Sequence, residues 1–111
     1  MNLAYRTADY EQRGCPRVSV HMTVVCKPRD GRPFAGVVRD LGVGGAFIEC
    51  IEALPFGTEV LIIGQLPPSG ADLRLPSVVR WTKPDGFGVQ FGLLGARETH
   101  AISVLLSAER Q

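Results

Sequence analysis

Arg17-Val18-Ser19-Val20-His21-Met22-Thr23-Val24-Val25-Cys26-Lys27 is the stretch from which the fold is read. Val18, Val20, Met22, Val24 and Cys26 alternate with Ser19, His21, Thr23, Val25 and Lys27. A period of two marks a strand with one face in the core and one in water, because successive side chains leave an extended backbone on opposite sides. Pro28-Arg29-Asp30-Gly31 ends the run with turn chemistry, Gly31 being expected to supply a positive φ. Outward from there the same pattern recurs. Strands are predicted from Phe34 to about Arg39, over Ala46–Ile51, from Glu59 to Leu66, from Leu73 to Lys83 with a bend at Pro76, and over Phe87–Phe91. Pro55 and Gly57, then Pro67-Pro68-Ser69-Gly70 and Pro84-Asp85-Gly86, punctuate them. Six short strands at regular turn spacing point to an all-β fold, a meandering barrel or a sandwich. Only Ala96–Glu109 reads as a helix, free of Gly and Pro, with Ala101, Ile102, Leu105 and Ala108 on one face. Such a helix is marginal alone, so it is expected to pack over a barrel opening.

The bulk composition bounds what such a fold can do. A chain of 111 residues has room for one domain, and its 45% hydrophobic content is enough for a core without metal or disulfide staples. Residues 1 to 12 are mostly polar and read as a flexible arm, leaving 13–111 as the single domain. A formal charge of +1 gives no general basic face, so long nucleic acid is not an expected partner and any anion site must be a local arginine cluster. No long apolar segment is present, so no signal peptide and no membrane insertion are expected. Cys15, Cys26 and Cys50 lie far apart without a Cys-x-x-Cys pair, which suits a reduced, cytoplasmic setting with Cys26 and Cys50 as small core residues.

Catalytic patterns are missing. His21 and His100 have no metal-binding spacing, and His21 falls on the solvent phase of the first strand. No serine sits in a nucleophile elbow, and Asp40 has no nucleophile near it in sequence. The chain reads as a binding module and not an enzyme, with no metal or resident cofactor. An oligonucleotide-binding barrel is set aside because the strands lack a set of exposed aromatics, Trp81 and Phe91 being assigned to core packing.

Two segments carry binding chemistry. Arg13-Gly14-Cys15-Pro16-Arg17 is a compact basic loop before the first strand. Arginine offers a planar fork of donors that matches phosphate oxygens and guanine edges, and its flat face stacks on bases. Asp40-Leu41-Gly42-Val43-Gly44-Gly45 lies at the junction of strands two and three. Its carboxylate can accept from the N1 and N2 donors of guanine, and its glycines let backbone approach a flat ligand. Each segment alone is also explained as scattered solvated arginines or a tight turn.

Together, in this order, they resemble the PilZ domain family, bacterial receptor modules for cyclic di-GMP. Arg13 and Arg17 match the family's Arg-x-x-x-Arg before its first strand, and Asp40 and Gly45 match its Asp/Asn-x-Ser-x-x-Gly after the second. Val78-Val79-Arg80-Trp81 and Gly86-Phe87-Gly88-Val89-Gln90-Phe91 resemble its closing hairpin, so the likeness covers roughly residues 11 to 109. The resemblance implies a six-stranded antiparallel β-barrel with a C-terminal α-helix, and cyclic di-GMP held on its outer surface. On that likeness Arg13 and Arg17 clamp the phosphates or stack on guanine, Asp40 accepts from a guanine edge, and Gly44 and Gly45 keep the floor open. Ordering of the arm then relays the signal to a protein partner of unknown identity. Gly42 departs from the pattern, standing where the family has Ser. The lost hydroxyl is worth about 0.5–1.5 kcal/mol, and it keeps open the alternative of a degenerate PilZ-like adaptor that binds protein and no nucleotide. Gln12, a non-arginine before the first motif arginine, implies one ligand per protomer.

Overall fold

A computed structural model describes residues 17–66 and 71–109. Six strands, β1 (Arg17–Pro28), β2 (Phe34–Gly42), β3 (Gly45–Glu49), β4 (Glu59–Leu66), β5 (Ala71–Lys83) and β6 (Gly86–Phe91), precede one helix, α1 (Ala96–Glu109). All pairings are antiparallel and the sheet closes on itself in the order β1-β2-β3-β6-β5-β4. Of the barrel and the sandwich left open by turn spacing, the barrel is found.

The alternation in β1 predicts its burial well. Val18, Met22, Val24 and Cys26 are buried, Val20 is half-buried, and Ser19, His21, Thr23, Val25 and Lys27 face out. Inward residues of the other strands, among them Val38, Ile48, Ile62, Leu73, Leu75, Val79, Phe87 and Val89, fill the interior. Phe34 and Phe87 meet edge to face at 6.3 Å, a favoured arrangement for aromatic quadrupoles. The buried hydroxyl of Ser77 donates to the Leu75 carbonyl at 2.8 Å, so it costs little.

α1 packs against β5 and β1 and adds Ile102 and Leu106 to the core, with Ala101 and Leu105 half-buried beside them. Leu106, one helical turn beyond Ile102, joins the buried face that the sequence assigned to Ala101, Ile102 and Leu105. The side chain of Ala108 lies outside the described residues. Glu98, in the first turn, accepts from the backbone N–H of Arg74 at 3.3 Å and ties the helix to β5.

Two sequence expectations are corrected, the positive φ at Gly31 and the end of the second strand. Gly31 does not take a positive φ; among the described glycines only Gly57 does, at 88°. β2 runs on past Arg39 to Gly42, so only Val43 and Gly44 form the turn into β3. β5 keeps its register with β4 through Pro76 without a break. The Pro76 carbonyl accepts from Gly92 N–H at 2.7 Å, on the side away from β4, so the missing proline N–H leaves no β4 ladder bond unmade. The expected arm, residues 1 to 12, lies outside the described residues, as does Arg13.

Candidate ligand-binding site

The site begins with a break in alternation. Val38 and Leu41 of β2 both point into the core. They are three positions apart, so the two residues between them, Arg39 and Asp40, share the outer face. The β2–β3 register shifts between Val38 and Asp40, the signature of a β-bulge, which re-aims side chains and sharpens the local twist. Without it Asp40 would enter the core, where an unpaired carboxylate is costly. Outside, Arg39 Nη1 donates to Glu49 Oε1 at 3.0 Å, leaving Asp40 to a different partner.

That partner is Arg17. Its Nε donates to Asp40 Oδ2 at 2.9 Å, across 23 residues of sequence. The ladder explains the meeting, since Arg17 stands opposite Gly42 and Ser19 opposite Asp40. Both side chains are more than a third exposed, at 36% and 43%. An ion pair so open to water contributes about 0.2–1 kcal/mol. It holds two groups in place more than it holds the fold together, and it can be exchanged for a ligand at small cost.

The motif glycines divide. Gly42 follows Leu41 at the end of β2, is itself buried, and pairs with Arg17 across the β1–β2 ladder. Gly44 has open space where a Cβ would be. Gly45 does not: a Cβ there would run into the Val89 carbonyl oxygen of β6. Its glycine is demanded by strand packing, whatever the ligand. A side chain would thus find room at Gly44 and none at Gly45.

Sequence reasoning missed the other half of this wall. Asp40 stands opposite Phe47, Phe47 opposite Gly88, and Gly88 opposite Trp81, a single row across β2, β3, β6 and β5. Trp81 was assigned to the core and is 40% exposed. A second bulge is the reason: Val79 is buried, the β5–β6 register shifts between Val79 and Trp81, and Arg80 and Trp81 both face out. The Trp81 indole occupies the space where a side chain of Gly88 would be. That glycine was the available signal, a small residue placed opposite a large ring. Lys83 Nζ sits 5.4 Å from the centre of the half-buried Phe47 ring, within cation–π range. Phe91 is half-buried.

The wall thus joins a guanidinium, a carboxylate, two aromatic side chains and an ammonium, a set suited to a flat heteroaromatic ring bearing an anion. Elsewhere the chemistry is quiet. Among the described residues no group of His, Cys, Asp and Glu could hold a metal ion. Burial, and secondarily the neighbouring Cys50, push the Cys26 thiol up to about 12. Cys50, half-buried, is raised by burial too, and its Sγ donates to the Glu52 carbonyl at 3.3 Å. Both are poor nucleophiles. No helix among the described residues is long and apolar enough to cross a membrane.

A closed six-stranded barrel with one C-terminal helix and paired Arg and Asp motifs defines the class of protein. The family model described as "PilZ domain" matches residues 11–106, and the chain belongs to that family. Among solved structures it is similar to the inhibitor of motility MotI/DgrA of Bacillus subtilis, at 16% identity and a TM-score of 0.74 over 91% of this chain. This chain spans about half of that one, 52%. It is also similar to the PilZ domain of CeSA from a cellulose-synthesizing bacterium (21% identity, TM-score 0.66, 86% of this chain and 98% of that one). A third likeness is to the PilZ domain with c-di-GMP of YcgR from Escherichia coli (13% identity, TM-score 0.71, 90% and 92%). At these identities the structures speak for the fold. Comparison with curated protein sequences gives no match.

Proposed function

We propose that the chain is a non-enzymatic receptor domain that binds cyclic di-GMP on the wall built by Arg17, Asp40, Phe47 and Trp81. The observation that carries this is the 2.9 Å contact between Arg17 and Asp40, which joins the two motif segments at one place on the barrel. Arg17 gives up Asp40 and turns its fork to a phosphate or a guanine edge. Asp40, released, accepts from guanine N1–H and N2–H. Trp81 supplies a stacking face, a contact worth about 1–3 kcal/mol per base. Arg13, four residues ahead of Arg17, is assigned to the same ligand, and the segment 1–12 to the relay of binding to a protein partner.

Gly42 favours a second reading, an adaptor of the same fold that binds protein alone. With no hydroxyl beside Arg17, the site lacks one donor and acceptor, a few-fold to about tenfold in affinity. Because charge-assisted contacts outweigh one neutral hydrogen bond, the receptor reading is preferred. Calorimetric titration of the full chain with cyclic di-GMP decides between them. Saturable binding weakened at least tenfold by Arg17→Ala and by Arg13→Ala is the expected result; absence of heat at millimolar nucleotide would leave the adaptor.

A further inference from the structure

Lys83 stands two residues beyond Trp81 on β5, so both side chains leave the strand on its outward face. β6 separates β5 from β3, with Gly88 opposite Trp81 and Gly86 opposite Lys83. Neither glycine puts a side chain between the flanking strands. Lys83 and Phe47 therefore meet over β6, with Nζ 5.4 Å from the centre of the ring. Phe47 in turn faces Asp40 across the β2–β3 ladder. A cation from β5 is thus carried to the neighbour of the carboxylate that holds Arg17.

The carboxylates around this ammonium are engaged or out of its reach. Asp40 is held by Arg17 at 2.9 Å, and Glu49, the next outward residue of β3, by Arg39 at 3.0 Å. Asp85, exposed in the turn that follows Lys83, forms no ion pair with it. Lys83 is exposed and its ammonium meets a ring instead of a carboxylate. Such a contact aims the cation without neutralising it, and its N–H donors stay open to an anion. Arg80, the residue before Trp81, differs: its Nε donates to Gln90 Oε1 at 2.9 Å and its guanidinium lies 5.8 Å over Phe56.

We propose that Lys83 binds a phosphodiester of the cyclic dinucleotide, with the Phe47 ring holding its ammonium in place. The inference rests on the receptor reading above and adds a residue outside both motif segments. A cyclic dinucleotide carries two phosphodiesters, and one arginine fork grips one phosphate at a time. A lysine ammonium, a compact point charge with rotatable donors, meets a phosphate from several directions, and its attraction at an exposed site is screened by salt. The face of Phe47 is occupied by that ammonium, so stacking on a base falls to Trp81.

Calorimetric titrations of the full chain with cyclic di-GMP, at low and at high potassium chloride, test this. Lys83→Met keeps an unbranched stem and removes the charge. It should weaken binding about tenfold at low salt, as for loss of a charge-assisted contact, and flatten the salt dependence. Lys83→Arg should restore both. The thermal midpoint of the nucleotide-free chain should be the same in all three, because the position is exposed. Unchanged affinity or salt dependence in Lys83→Met would overturn the assignment and leave the receptor reading standing. So would a loss that Lys83→Arg does not recover, or one that tracks a lowered midpoint. Failure of the unsubstituted chain to bind would remove the receptor reading itself, and the role of Lys83 with it.

Discussion

The two outer walls of this barrel are made by opposite departures from one rule. On the wall of β2, β3, β6 and the second half of β5, the inside–outside alternation itself is broken. Bulges beside Arg39 and Arg80 turn Asp40 and Trp81 outward, although their positions in the pattern point inward. On the wall of β1, β4 and the first half of β5 the ladder keeps its register through Leu61 and Ile63, and composition departs instead, with apolar residues on the water side. The first device concentrates a few polar and aromatic groups at a point, which suits a small ligand. The second leaves an apolar strip along the outer face of β4, continued by Val25 on β1 and Pro76 on β5. One closed ladder therefore carries two outer walls of different character without an added element.

The largest expected effect sharpens the claim that Ile63 faces out while its neighbour Ile62 faces in. Ile62→Ala should cost about 2–5 kcal/mol in denaturant unfolding, the range for emptying a packed core. Ile63→Ala should cost about 1 kcal/mol or less, as for surface positions. Equal losses would mean that the outer wall is covered within the free chain. Next come the motif glycines. Gly45→Ala forces a Cβ against the Val89 carbonyl and should destabilise by about 1–3 kcal/mol, while Gly44→Ala, with open space around it, should leave the thermal midpoint nearly unchanged. Comparable losses in both would return Gly44 to a packing role.

A smaller effect concerns Gly42, which pairs with Arg17 across the β1–β2 ladder. Gly42→Ser should tighten cyclic di-GMP binding a few-fold to about tenfold by calorimetry; unchanged affinity would place position 42 out of reach of the ligand. The last concerns Cys26, whose thiol burial raises from 9.0 to about 12. Keeping it neutral contributes stability that is full below pH 9.0 and is lost as the pH climbs towards about 12, because the unfolded chain ionises first. Cys26→Val should blunt the alkaline fall in stability, and native alkylation at neutral pH should spare Cys26.

Much of this architecture is legible in the residues. Strict alternation in Arg17–Lys27 announced β1, turn chemistry separated the strands, and the Gly- and Pro-free stretch Ala96–Glu109 gave the helix. The meeting of Arg17 and Asp40 in the candidate site was legible too, because both belong to short patterns whose order and spacing survive in one dimension. Trp81 did not, for a physical reason. Leu73, Leu75, Ser77 and Val79 set a phase that carries Trp81 inward, and one inserted residue reverses it. Periodicity cannot register such an insertion; the bare Gly88 across the ladder was its only trace. The lateral row from Asp40 to Trp81 depends on β3 lying beside β6, a pairing that closure of the sheet creates and that chain order does not state.

Trp81 is the chain's single tryptophan, so its emission reports directly on the wall it occupies. Titrating cyclic di-GMP into the full chain should change that emission saturably, and Arg17→Ala should shift the midpoint to at least tenfold higher nucleotide. An emission that stays constant while calorimetry records tight binding would put the nucleotide elsewhere on the molecule and contradict the assignment of this wall.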